Sequence, residues 1–72
     1  MAPKLGLIGG GVMGTAILSR LLEQGRYKAD AVIVSEPWEQ RRQELQAQYG
    51  VQVTDNNSEA AQADVLLSLI HI

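Results

Sequence analysis

An α/β fold built on a parallel sheet is predicted for this chain, and three observations predict it. Short apolar runs alternate with segments of helical period along the whole length. The first run stops at a glycine-rich turn, "GGGVMG", which opens straight into a helical pattern. The strand-like runs are nearly continuous in apolar residues rather than alternating, as strands covered on both faces are.

Each element has its own signal. Residues 4–8, "KLGLI", form a short apolar run ending at glycine, and read as the first strand. In "VMGTAILSRLLEQ", Met13, Ile17 and Leu21, with Leu18 and Leu22 beside them, recur at helical spacing, and Gly25 stands where a helix-ending glycine belongs. "DAVIVS" is a second strand. Pro37 then suits the first turn of a second helix, "PWEQRRQELQAQY", with Trp38, Leu45 and Tyr49 on its inner side and Gly50 at its end. "VQV" is a short third strand. "TDNNSEAAQA" holds a loop and a stub of helix, with Asn57 or Ser58 as its N-cap. "DVLLSLI" is a fourth strand. The order β-α-β-α-β-α-β implies right-handed crossovers between parallel strands. This is the mononucleotide-binding half of a Rossmann-type fold, truncated at the fourth strand.

Seventy-two residues allow one small domain, and a chain of this size buries only ~60% of its unfolded surface. Small scaffolds often add disulfides or metals, yet there is no Cys and a single His. The chain is therefore expected to be a piece of something larger or a subunit that needs a partner. It is 46% hydrophobic and 19% charged, with a formal net charge of −2. That balance gives no electrostatic footprint for nucleic acid or an anionic membrane. No apolar run is long enough to cross a bilayer, and "MAPKLGLIGG" lacks the pattern of a signal peptide. A soluble, cytoplasmic protein is expected.

Gly9, Gly11 and Gly14 make G-x-G-x-x-G, and each has a separate task. Gly9 allows the tight turn out of the strand, Gly11 lets a pyrophosphate approach the backbone, and Gly14 lets helix and strand pack closely. The helix N-terminus offers unpaired N–H groups to the phosphates. A glycine-rich turn without a ligand is the plainer alternative, but the strand–turn–helix context is the one the motif requires. No Gly-Lys-Ser/Thr follows, which excludes a Walker-type phosphate loop.

The other candidates carry less. His71 has no Cys or carboxylate cluster with it, no nucleophile–base pair is visible, and no metal site is read. Trp38 and Tyr49 read as anchors of the second helix rather than as a stacking platform. Glu39, Arg41, Arg42 and Glu44 read as a solvated helix face with i,i+3 charge pairs. Asn56 and Asn57 serve equally as turn and cap residues.

"LGLIGGGVMGTAILSRLL", "VIVSEP", "YGVQVTDNNSEA" and "ADVLL" together resemble the N-terminal domain of the pyrroline-5-carboxylate reductase family. The glycine motif alone does not separate it from 3-hydroxyisobutyrate or 6-phosphogluconate dehydrogenases. The Ser-x-Pro after the second strand and the "GV-x-V-T-x-x-N" segment narrow the resemblance. It implies an NAD(P)H-binding domain that serves hydride transfer to the C=N carbon of 1-pyrroline-5-carboxylate, giving proline. It also implies a second, helical domain that forms a homo-oligomer and holds most of the substrate contacts. Position by position, Ile8, Gly9, Gly10, Gly11, Val12 and Met13, with Gly14 completing the motif, match the phosphate-binding loop. Ser35 and Glu36 match positions facing the adenosine ribose, and Asn57 matches an asparagine at the same end of the cofactor.

Cofactor choice is balanced. Glu36 stands about 20 residues past the glycines, where a carboxylate takes ribose hydroxyls and favours NAD(H). Ser35, Asn57, Arg41 and Arg42 can instead serve a 2′-phosphate, with Glu36 turned outward to cap the second helix. NADP(H) is expected to be preferred and NAD(H) accepted.

The family has Ala-Val-Lys-Pro after the fourth strand, where this chain has Leu69, Ile70, His71 and Ile72. The departure leaves no residue to name as catalytic. "LSLIHI" is also what CTG-TCT-CTT-ATA-CAC-ATC encodes, a sequence resembling transposase adapter DNA. Residues 1–66 are thus expected to be the dinucleotide-binding domain fragment and residues 67–72 a non-native tail, with the fragment inactive alone. Another β-hydroxyacid dehydrogenase-like oxidoreductase and a non-catalytic dinucleotide sensor remain alternatives.

Overall fold

The computed structural model describes residues 3–9 and 11–68, and for residues 11–13 the backbone only. Four strands are laid down in chain order: β1 (Leu5–Ile8), β2 (Val32–Ser35), β3 (Gln52–Thr54) and β4 (Val65–Ser68). Between them lie helices α1 (Gly11–Glu23), α2 (Glu39–Tyr49) and the single turn α3 (Asn57–Ala60). A 3-10 turn over Ala29–Ala31 takes the place of the predicted start of β2. All pairings are parallel, in the order β3-β2-β1-β4. The predicted Rossmann-type α/β unit is therefore present.

Alternation along the strands divides the core. Leu5, Leu7, Val32 and Val34 point to one face, where Leu18 of α1, Leu45 of α2 and Val51 close over them. Leu21, Leu22 and Tyr49 pack against this cluster from its margin. Ile8 and Ile33 point to the other face, against Ala60 of α3. Helices on both faces explain why the strands read as continuous apolar runs. Gly6 also faces α3, and a Cβ built on it would lie 2.1 Å from the carbonyl oxygen of Ala60. Strand and helix backbones meet there with no room for a side chain.

The helix ends follow their glycines. At α1, the Arg26 N–H bonds the Leu21 carbonyl and the Gly25 N–H bonds that of Leu22, with Gly25 at φ 72°. This pair of bonds satisfies two otherwise unpaired carbonyls. At α2, Gly50 at φ 73° donates to the Gln46 carbonyl.

Three local expectations are corrected. Helix α2 begins at Glu39, with Trp38 as an extended N-cap, rather than at Pro37. Trp38 is 73% exposed and anchors nothing, whereas Leu45 is buried and Tyr49 half-buried as expected. The cap of α3 is Asn56, whose side chain accepts from the Ser58 N–H at 2.8 Å, rather than Asn57 or Ser58. In the expected tail, Leu67 and Ser68 belong to β4 and pair with Leu7 and Ile8, while residues 69–72, including His71, lie outside the described residues. Among the described residues, no helix is long and apolar enough to cross a membrane.

Candidate functional site

The order of the sheet reverses between β1 and β4: β2 and β3 lie to one side of β1, and β4 lies to the other. In open parallel sheets the crevice at such a reversal, outside the carboxyl ends of the strands, is where ligands bind. The glycine loop leaves β1 at this point. Gly9 has φ 70°, a conformation that side-chain-bearing residues seldom adopt, and its N–H donates to the Ser35 carbonyl at 3.1 Å. The loop's tight turn is thus tied to the end of β2. Helix α1 starts at Gly11 with no acidic residue in its first turn, so the positive end of its dipole is not neutralised locally. Its first N–H groups can meet an anion.

The remaining predicted residues fall into two groups. Gly9, Gly14 and Glu36 share one cleft with Thr15 and Arg41, floored by Leu7, Val34, Leu18 and Leu45 and enclosing about 260 Å³ with its open mouth included. Glu36 lies on the α1–α2 side and is only 7% exposed. One carboxylate oxygen accepts the Trp38 N–H at 3.3 Å, and its backbone carbonyl accepts from Arg42 Nη1 at 2.8 Å. Glu36 is thus neither turned outward to solvent nor the cap of α2, a place that Trp38 takes; its carboxylate instead holds the backbone just before the helix. Ser35 lies on the opposite face and is 2% exposed; its hydroxyl donates to Asn57 Oδ1 at 2.5 Å. The side chain of Ile8 belongs to the smaller core cluster. Gly10 and the side chains of Val12 and Met13 lie outside the described residues.

The charged face of α2 is less detached than its pattern suggests. Arg41 Nη1 pairs with Glu44 at 3.2 Å, the expected i,i+3 contact. Its Nη2 also donates to Thr15 Oγ1, joining the first turn of α2 to the second turn of α1. Neither the role of Thr15 as a wall of the cleft nor this reach of Arg41 was apparent from periodicity. The position of Thr15, directly behind the last glycine of the motif, was the available signal.

A family model described as "NADP oxidoreductase coenzyme F420-dependent" matches residues 4–72. The chain belongs to this family. It therefore carries an oxidoreductase domain of the pyridine-nucleotide-binding kind. One similar protein is pyrroline-5-carboxylate reductase of Synechocystis sp. (strain ATCC 27184 / PCC 6803 / Kazusa). The two are 46% identical over 69 residues, which is 96% of this chain and 26% of the relative. The chain thus spans about a quarter of the length of the curated relative it matches.

Proposed function

We propose that this chain is the NAD(P)H-binding part of a pyrroline-5-carboxylate reductase, a cytoplasmic enzyme of proline biosynthesis. The observation that carries the proposal is the 46% identity sustained over 69 residues, from the glycine loop to the last strand. The bound dinucleotide supplies a hydride, which reduces the C=N carbon of 1-pyrroline-5-carboxylate to give proline. The chain's own task is placement. Gly9 and the N-terminus of α1 hold the pyrophosphate, Gly14 keeps helix against strand, and Ser35, Glu36 and Asn57 meet the adenosine end. NADPH is preferred and NADH accepted. Glu36 already accepts the Trp38 N–H, and Arg41 and Arg42 bring two cations beside it. Substrate contacts and pairing into a homo-oligomer belong to a helical domain of the whole enzyme, so the 72 residues alone are inactive.

A chimera tests this. Residues 1–66 are placed in the Synechocystis relative in exchange for the matching segment, and reduction of 1-pyrroline-5-carboxylate is followed with each coenzyme. The expected result is turnover with a higher kcat/KM for NADPH than for NADH. Gly11→Val should abolish it, because a branched side chain occupies the pyrophosphate position. A folded chimera without turnover overturns the reading. Turnover favouring NADH overturns the coenzyme preference alone.

A further inference from the structure

Trp38 is the only Trp of the chain, and among the described residues it is the most exposed of the large apolar side chains. Its backbone is nevertheless fixed. The N–H donates to Glu36 Oε1 at 3.3 Å, and the carbonyl accepts from the Arg42 N–H at 3.0 Å as the first bond of α2. A stiff anchor therefore carries a ring that is 73% uncovered. Exposed rings of this kind lose little conformational freedom on binding, since a Trp side chain has only two torsions to fix.

Its place in the fold narrows what it can bind. Trp38 stands two residues beyond Glu36, in the connection between β2 and α2. In doubly wound sheets with this glycine motif, the residue at the end of the second strand meets the adenosine ribose. Arg41 and Arg42 follow at the start of α2 and bring positive charge to Glu36: Arg41 lines the cleft with it, and Arg42 Nη1 donates to its carbonyl. The other exposed large apolar residues among those described, Val65 and Leu66, lie on β4, which β1 separates from β2. Among the described residues, Trp38 is thus an isolated ring rather than part of an apolar patch of the size a protein partner needs. A single flat surface beside cations suits a nucleobase carrying phosphates, because every base has a π-face that stacks without hydrogen-bond readout.

We infer that Trp38 stacks on the adenine ring of the bound dinucleotide. The inference rests on the dinucleotide-binding reading above and adds a ligand contact to it. Because the indole is the chain's only one, its fluorescence reports directly on the site.

The test titrates the 72-residue chain with 2′,5′-ADP, the adenosine half of NADP, and follows Trp fluorescence and heat. Saturable quenching is expected. Trp38→Ala should weaken binding about tenfold, within the range of single base–aromatic stacks. Trp38→Phe should recover most of the loss and Trp38→Leu little of it, since Leu restores apolar cover without a π-face. An exposed side chain leaves folding unaltered, which circular dichroism of each variant verifies. Binding that saturates without quenching, or that is equally tight in Trp38→Ala, overturns the stacking and leaves the dinucleotide reading intact. Recovery by Leu as complete as by Phe also overturns it. A parent chain that is folded and binds neither 2′,5′-ADP nor NADPH overturns both.

Discussion

Gly6 and Gly9 stand close together in the sequence and are glycine for unrelated reasons. Gly9 needs its left-handed φ of 70° to turn out of β1, and the motif pattern announced that need. Gly6 has no unusual demand on its backbone. It is glycine because the Ala60 carbonyl, contributed by a helix near the other end of the chain, lies where a Cβ would go. Periodicity along β1 cannot see a constraint imposed from the opposite face by a distant element. Gly25 offers the matching control: its φ is 72°, and a Cβ there would meet nothing within 4 Å. Gly25→Ala is therefore expected to cost only the conformational penalty, about 1–2 kcal/mol. Gly6→Ala must move a backbone carbonyl and is expected to cost at least as much as overpacking in a core, about 1–3 kcal/mol, and to exceed Gly25→Ala. Urea unfolding of the two variants under one condition orders them. A smaller effect at Gly6 would mean that α3 shifts aside freely.

The elements were legible where their signals were local. The C-terminal glycines of α1 and α2, the helical spacing of Leu18, Leu21 and Leu22, and the burial of Leu45 all appear as the sequence reads. The start of α2 was misplaced because a neighbouring carboxylate holds the residue before the helix, and that of α3 because a tertiary partner chose among equivalent residues. At α2, the buried Glu36 carboxylate holds the Trp38 N–H, so Trp38 stays extended and the helix begins after it. At α3, "NNS" offers three adjacent caps, and local propensity ranks them nearly equal. Asn57 is withdrawn from capping by the Ser35 hydroxyl of β2, so Asn56 takes the role. This division of labour has a measurable consequence. Asn56→Ala removes a cap and is expected to cost about 1 kcal/mol. Asn57→Ala removes an exposed side chain, yet it leaves the buried Ser35 hydroxyl without its acceptor, at about 1–3 kcal/mol. Denaturant midpoints should therefore fall at least as far for Asn57→Ala as for Asn56→Ala. A neutral Asn57→Ala would show that Ser35 finds another acceptor on the backbone.

At the scale of the molecule, alternating strands and helices were enough for the fold class. They did not place β4 beside β1, because a periodicity carries no record of which edge a strand joins. That placement sets the reversal at β1 and β4, and so the position of the glycine loop over the crevice. It also leaves β4 as an edge. Val65 and Leu66 are 45% and 41% exposed there, on a strand whose outer side has no neighbour among the described residues. The other edge, β3, is shorter and presents the exposed, polar Gln52. An apolar edge strand with unpaired N–H and C=O groups is a template for a further strand, and charges are the usual means of blocking it. A chain of this length also has little stability with which to resist partial opening. The 72-residue chain is therefore expected to self-associate through β4, with an elution volume in size-exclusion chromatography that moves earlier as concentration rises. Val65→Lys places a charge on that edge while Leu5 and Leu7 beneath keep their own cover from α1 and α2. It should shift the population toward monomer without loss of helical circular dichroism. A parent chain that elutes as monomer at every concentration and melts in one sharp transition would show that the edge is closed by the chain's own residues.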